Sequence, residues 1–529
     1  MSFASSLAPS GRTGIMQPYE RRPAPGRFKQ FLFYSALIGV AAFYGLMCSV
    51  LPFAALVIPL VPLLILSALV LWLLPSVDTV DYSRLATFLF WFAACNAMWP
   101  NYVAVNLPGL PWITPSRFAL FGLTLMFLYT FSVSNSLRMT LQTIWATSPI
   151  IKWSFLIFWI CTTAAIVFSK EVGETITKYA NNQIYWTLIF MVSCLLAYDY
   201  GNIRRINNIL RILVLGAIVT ALFSLVEYHD QRIIWLDHLP AFLKPDQAML
   251  EKIGTFTARA GTDVYRVTGN LGNALYYAEA LAVSLPFLID LLVRQKGAIQ
   301  FTLLLAGFMV VAVAIYLTGS RAGMVGLLLA PVLYTLGAAL RWRRRHPSSL
   351  AATAILFAYP MFVGLLAALV VFWRRLHVLV LGGGQHQAST EARSTQWAMG
   401  IPKFMSHPFG HGSGQSGDVL GYFNPGQDNT TVDSYYLTLL LDYGFIGFLA
   451  FMMFFLSTSA HAARYYFKTD DEQQFILLPI AVAIFNFVVI KAVASTESSM
   501  PIVIMLAGFA IGIAAHIIKT GAGPAPGRA

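Results

Sequence analysis

Long apolar segments separated by short polar ones run along almost the entire chain. A membrane-spanning helix needs about 20 mainly apolar residues, because it rises 1.5 Å per residue through a hydrocarbon core about 30 Å thick. The pattern predicts about 12–14 transmembrane helices. The predicted spans are 31–50, 52–74, 86–104, 118–134, 153–169, 184–199, 212–228, 274–293, 301–319, 323–340, 350–373, 445–463, 475–494 and 500–518.

The amino-acid composition is typical of a membrane protein. Hydrophobic residues make up 57% of the 529 positions and charged residues only 11%. Soluble domains carry about 25% charged residues, and burial on folding reaches only about 75% of the surface even in large domains. The bilayer is therefore expected to be the solvent for most side chains. The predicted fold class is an all-α, polytopic membrane protein.

The distribution of basic residues predicts the orientation. Cytoplasmic loops are enriched in Lys and Arg, and one side holds most of the 35 basic residues, including the run Arg341–Arg345. This side also holds both termini, so the prediction is a disordered, basic cytoplasmic segment 1–30, a transmembrane domain 31–519 and a cytoplasmic tail 520–529. Nothing at the N-terminus is typical of a cleaved signal peptide. The net charge of +12 needs no nucleic-acid partner to explain it.

Two connections, 229–273 and 374–444, are much longer than the others, and both are predicted to be periplasmic. Long loops in an otherwise compact fold are usually functional or disordered. These two contain aromatic residues, helix-compatible stretches and Gly/Pro turns. We therefore expect both loops to fold over the membrane surface and to carry the chemistry. The four cysteines all lie in apolar spans without metal-ligand spacing, so they are expected to be packing residues.

Two arginines lie where loops meet spans at the predicted outer boundary. Arg266 lies in the last stretch of the first long loop, and Arg321 lies in Thr318–Gly323 between the ninth and tenth spans. A guanidinium is a planar, permanently charged fork that suits phosphate and diphosphate. The alternative for both is a side chain that snorkels to the interface.

The second long loop is the richest in chemistry. Glu391–Trp397 contains Arg393, and His407 and His411 flank a Pro/Gly turn. Asp433 precedes an apolar run, so it is either a general base or a helix N-cap. Either histidine is also compatible with an ordinary loop residue.

Charged residues are rare inside the spans, and Lys491 is the main exception, with Glu279 and Asp290. Lys491 either snorkels outward or adds a cation to a diphosphate site. A transporter or flippase is the alternative from another class, but transporters tend to have broken helices and polar midplane residues in matching halves. Two long loops on one face favour an enzyme.

The ordered motifs of this chain resemble those of the O-antigen ligase and O-antigen polymerase superfamily of bacterial inner membranes. The similar stretches are Tyr265–Asn273, Thr318–Gly323, Arg393 with Trp397, His407–Gly414 and Asp433–Gly447. The resemblance implies an all-helical, GT-C-like membrane enzyme with a catalytic periplasmic loop. It also implies inverting glycosyl transfer, without metal or cofactor, from a saccharide on undecaprenyl diphosphate.

The resemblance also implies residue roles. Arg321 and Arg393 correspond to arginines thought to hold the diphosphate, with Arg266 as a third. The ligases of the family place their base in a His-Asn pair before Tyr-Leu, where this chain has Asp433-Ser434. This departure fits polymerase-type members better. Asp433 is the first candidate for the base and His411 the second.

The expected function is polymerisation of undecaprenyl-diphosphate-linked repeat units into exopolysaccharide or O-antigen. Ligation to lipid A-core and oligosaccharide transfer to protein are alternatives within the superfamily. The expected partners are a lipid-linked glycan donor and acceptor, membrane lipid, a flippase and a chain-length regulator.

Overall fold

The computed structural model describes residues 82–105, 113–243, 264–374, 387–423, 430–495 and 497–520, with a few isolated residues outside these ranges. Ten helices in this part of the chain are long and apolar enough to cross a membrane. The predicted all-α, polytopic membrane fold is confirmed. The helices are α1 Tyr82–Met98, α2 Pro115–Val133, α3 Asn135–Ala146, α4 Pro149–Ala164, α5 Val172–Tyr179, α6 Tyr185–Tyr198, α7 Ile203–Asp230, α8 Ala274–Arg294, α9 Ala298–Leu317, α10 Arg321–Arg345, α11 Leu350–Phe372, α12 Gln387–Ser406, α13 Ser416–Leu420, α14 Tyr435–Tyr466, α15 Leu477–Lys491 and α16 Met500–Thr520.

Twelve of the predicted spans coincide with helices of the structure. They match α1, α2, α4, α6 to α11 and α14 to α16. The first two predicted spans, 31–50 and 52–74, lie almost wholly outside the described residues. The largest difference in a boundary concerns α14, which begins at Tyr435, ten residues before the predicted span at 445.

The chain divides into two compact units. The first comprises Met1–Asp81 and Leu125–Thr140, of which the structure describes mainly the end of α2 and the start of α3. There, Arg138 Nη1 donates to the carbonyl oxygens of Phe131 and Ser132. The second unit comprises Tyr82–Thr124 and Leu141–Ala529, and it holds every residue of the candidate site.

Small residues allow close helix packing in the second unit. Helix α16 lies along α6, and it presents Gly508 and Gly512 to that helix. A Cβ at Gly508 would lie 2.5 Å from the Cβ of Ser193, which is too close for two carbon atoms. Glycines four residues apart let membrane helices approach backbone to backbone. The α6–α16 contact therefore depends on this pair.

Helix α14 is broken at Gly444, whose φ of 72° and ψ of −176° are not helical. A Cβ at this position would collide with the carbonyl oxygen of Pro408. Only glycine combines this backbone conformation with so close an approach. The break separates an N-terminal segment, Tyr435–Tyr443, from the rest of α14.

Candidate functional site

The turn between α9 and α10 presents Arg321 as the first residue of a helix. Gly319 has a φ of 59°, which closes the turn, and the Ser320 side chain caps α10 by accepting from Gly323 N at 3.4 Å. The Arg321 side chain is 8% exposed, and its Nη1 donates to Thr390 Oγ1 at 2.9 Å. Helix N-termini and guanidinium groups both attract anions. Their combination at one turn favours a negatively charged ligand.

Arg266 reaches the same turn from the end of the first long loop. Its backbone N–H donates to Thr257 O at 2.7 Å, and its Nε donates to Thr318 O at 2.8 Å. Thr318 lies three residues before Arg321. The structure therefore brings two of the predicted arginines to the two sides of one turn.

A buried carboxylate, which the sequence reasoning missed, holds this loop end. Glu227 near the end of α7 accepts from Thr268 N at 2.9 Å, Thr268 Oγ1 at 3.0 Å, Gly269 N at 3.0 Å and Tyr265 OH at 3.2 Å. These groups immediately flank Arg266 in the sequence. The sequence could have revealed Glu227, because it is an acidic residue near the end of an otherwise apolar span, and such residues usually have a specific partner.

Helix α12 of the second long loop faces the membrane helices with one side. Thr390, Arg393, Gln396 and Gly400 recur on that side at helical spacing. Thr390 accepts from Arg321, and a Cβ at Gly400 would lie 2.7 Å from Leu437 Cδ1 of α14. Helix α12 thereby connects the α9–α10 turn to the start of α14.

Asp433 lies immediately before α14, beside this face of α12. Its backbone N–H donates to Gln396 Oε1 at 2.8 Å. Burial raises the pKa of the Asp433 carboxyl, while the charges of Arg393 and Arg321 oppose that rise. Burial lowers the pKa of Arg393, against the opposing charge of Asp433. The N-cap residue of α14 is Ser434, so Asp433 does not occupy the capping position.

His411 belongs to a different part of the second loop. Its Nδ1 and its backbone N both approach the carbonyl oxygen of Leu441, at 3.0 and 2.9 Å, and its ring lies 4.8 Å from that of His407. Burial lowers the pKa of His411. Leu441 follows Asp433 by eight residues, which is about 12 Å along a helix. The structure therefore does not bring His411 and Asp433 together.

The glycine-rich segment around His411 packs against the break in α14. Asp442 accepts from Gly414 N at 2.8 Å and from Ser416 N at 2.7 Å, and its carbonyl oxygen accepts from Gly412 N at 3.0 Å. Gly410, Gly412 and Gly414 all have positive φ. This arrangement gives the motif a structural role, in which it attaches the second loop to the N-terminal segment of α14.

Lys491 lies at the end of α15 and is fully buried. Its Nζ is 2.9 and 3.0 Å from the two carboxylate oxygens of Glu279, and it lies 4.9 Å from the ring centre of Tyr435. The sequence predicts that Lys491 either snorkels to the interface or binds a diphosphate, and it does not predict this buried ion pair with Glu279. Its role in binding a diphosphate stays a prediction.

The comparison with known protein families concerns this region. Residues 305–452 match the family model described as O-antigen ligase. This match covers less than a third of the chain. The matched region runs from within α9 to within α14 and contains Arg321, Arg393, His411 and Asp433. Arg266 and Lys491 lie outside it.

The match supports an O-antigen ligase or polymerase type of activity, that of a glycosyltransferase-like enzyme on lipid-linked glycans. A comparison with curated proteins finds no match for the chain.

Proposed function

We propose that this protein polymerises undecaprenyl-diphosphate-linked oligosaccharide repeat units at the periplasmic face of the bacterial inner membrane. One observation carries the proposal. Arg266 and Arg321 meet at the α9–α10 turn, and the Arg321 contact to Thr390 brings the α12 face with Arg393 to the same place. Asp433 lies beside that face. Cations for a diphosphate and a carboxylate base thus come together at the loop end of the helix bundle.

The arrangement fits a direct displacement at the anomeric carbon. The acceptor hydroxyl oxygen bonds to this carbon while its bond to the diphosphate oxygen breaks. Asp433 takes the hydroxyl proton, and the leaving diphosphate keeps the bonding electron pair. Because negative charge grows on the diphosphate in the transition state, preorganised guanidinium groups stabilise it more than the ground state. A partly buried carboxylate with a raised pKa is a stronger base.

Replacing the arginines tests this proposal. Arg321→Ala and Arg393→Ala are each expected to lower polymer synthesis by about 100-fold or more, the range seen when one preorganised donor is lost from an oxyanion site. Arg232→Ala is the matched control, because Arg232 is an exposed loop arginine paired with Asp237. Polymer is measured in cells with equal amounts of each protein. Full-length polymer from both site variants would refute the proposal.

Ligation of glycan to lipid A-core is the second candidate, because the matching family model is described as O-antigen ligase. The two activities leave different products. If the protein is a polymerase, cells that lack its gene accumulate single repeat units. If it is a ligase, these cells accumulate long chains on the polyprenyl carrier. We propose polymerisation because Asp433-Ser434 stands at the position of the ligase His-Asn pair.

The proposed setting includes a flippase that supplies the lipid-linked units and a regulator that limits chain length. It also places both termini in the cytoplasm. Labelling of Ser406→Cys, an exposed position at the end of α12, tests the orientation. Labelling by a membrane-impermeant reagent in intact spheroplasts supports a periplasmic loop, and labelling only after lysis contradicts it.

A further inference from the structure

Several buried hydrogen-bond donors beside Asp433 have no partner among the described residues. They are Arg393 Nε, Gln396 Nε2 and the Thr431 hydroxyl, Oγ1. A buried polar atom that lacks a hydrogen bond costs free energy, so native proteins rarely contain one without a reason. All three belong to residues next to Asp433 in space or in sequence.

The orientation of the Gln396 side chain follows from its contact. The backbone N–H of Asp433 is a donor, so the Gln396 atom 2.8 Å away must be the carbonyl oxygen Oε1. The NH₂ group of the same planar carboxamide is then also held beside Asp433. Gln396 is 0% exposed, and solvent therefore does not reach this amide.

The position of Gln396 on α12 links it to the arginines. It follows Arg393 by three residues and Thr390 by six, on the side of the helix that contacts Arg321. Residues three apart on a helix are neighbours. The unpartnered donors of Arg393 and Gln396 therefore lie on the same face of α12, the face that contacts Arg321.

From this geometry we infer that Gln396 is a substrate-binding and positioning residue. When the lipid-linked donor binds and opens the buried face of α12, the Gln396 NH₂ donates to a phosphate oxygen of the polyprenyl-linked diphosphate, while the Gln396 carbonyl oxygen holds the backbone of Asp433. Arg393 Nε and Thr431 Oγ1 supply further donors to the same ligand. This inference rests on the proposed function, and it names an uncharged residue that couples leaving-group binding to the position of the base.

Two substitutions of Gln396 distinguish its binding of the diphosphate from its support of the Asp433 backbone. Gln396→Glu has nearly the same shape and keeps an oxygen for the Asp433 N–H, but it lacks the NH₂ donor. Gln396→Met removes both interactions. The matched controls are Gln387→Glu and Gln387→Met on the same helix, because Gln387 is exposed and donates to Glu391.

The assay uses the purified full-length protein in lipid nanodiscs with the lipid-linked repeat unit extracted from cells that lack the protein. Initial rates are measured against the concentration of this donor. Loss of one hydrogen bond to a charged group lowers kcat/KM by about 10- to 100-fold. Both Gln396 variants are expected to show this loss, with a raised KM in Gln396→Glu. The Gln387 variants are expected to stay within about twofold of the wild type.

Two results would overturn the inference. If Gln396→Glu stays fully active while Gln396→Met fails, Gln396 only supports the backbone of Asp433. If both variants stay active, Gln396 has neither role. Arg321→Ala in the same assay separates this inference from the proposed function. An inactive Arg321→Ala beside active Gln396 variants removes only Gln396 from the site, whereas an active Arg321→Ala refutes the diphosphate site itself.

Discussion

The contact between Glu227 and the end of the first long loop leads to a quantitative prediction. Glu227→Gln keeps the shape of the side chain but replaces one acceptor oxygen with an NH₂ group. In the wild type the two oxygens accept from Thr268, Gly269 and Tyr265. With the amide oxygen in the Oε1 position, the new NH₂ would face Gly269 N–H, so this N–H would lose its acceptor and the NH₂ itself would have none.

Each unsatisfied buried group costs about 1–3 kcal/mol, so two cost about 2–6 kcal/mol. This cost is expected to loosen the loop end locally. A loss of 2 kcal/mol in the free energy of local opening raises amide hydrogen exchange by about 30-fold. Since Arg266 lies two residues before Thr268, we also expect glycan polymerisation to fall by about tenfold or more.

Hydrogen exchange followed by mass spectrometry on peptides covering residues 264–273 measures the first effect, and the polymer assay measures the second. Glu174→Gln on α5 is the matched control, because Glu174 is an exposed acid. Unchanged exchange at Thr268 and Gly269 in Glu227→Gln would show that the loop end does not depend on this carboxylate. Faster exchange with full activity would show that the position of Arg266 does not matter.

Two further predictions concern charge. If Asp433 is the base, the rate rises with pH as its carboxyl loses a proton. Because the charge of Arg393 opposes the rise in the pKa of Asp433, the residual activity of Arg393→Gln is expected to need a higher pH than that of the wild type. An unshifted pH–rate profile would show that Arg393 does not influence the pKa of the base. Lys491→Met removes the ammonium that pairs with the buried Glu279 carboxylate and is expected to destabilise the protein by about 3–5 kcal/mol. Adding Glu279→Gln should restore much of the stability in thermal unfolding, because the buried charge is then removed as well. Equal stability of the single and double variants would contradict this explanation.

The sequence predicted the helices well because membrane spans follow from apolar length. It placed the start of α14 too late because Asp442 and Gly444 interrupt the apolar pattern, although the helix extends outward to Tyr435. Asp442 is satisfied by backbone donors of the glycine-rich segment, which is a tertiary interaction. No local pattern reveals such a partner.

The same distinction applies to the site. Arg266 and Arg321 were recognisable because each adjoins an apolar span, where a charge requires an explanation. Glu227 was passed over although it lies near the end of a span, because the donors it binds lie about 40 residues later in the sequence. Gln396 carries no charge, and its contact with Asp433 depends on how α12 packs against α14. Its importance therefore became visible only in three dimensions.

The break at Gly444 also affects how the protein responds to its membrane. A continuous helix of 32 residues would act as a stiff rod, and any tilt or slide in the lipid would move its outer end. Because of the break, we expect the part of α14 after Gly444 to adjust to bilayer thickness while Tyr435–Tyr443 stays packed against α12 and the glycine-rich segment around His411. Asp433, the proposed proton acceptor, directly precedes this segment, so we expect polymer synthesis to tolerate lipids of different chain length.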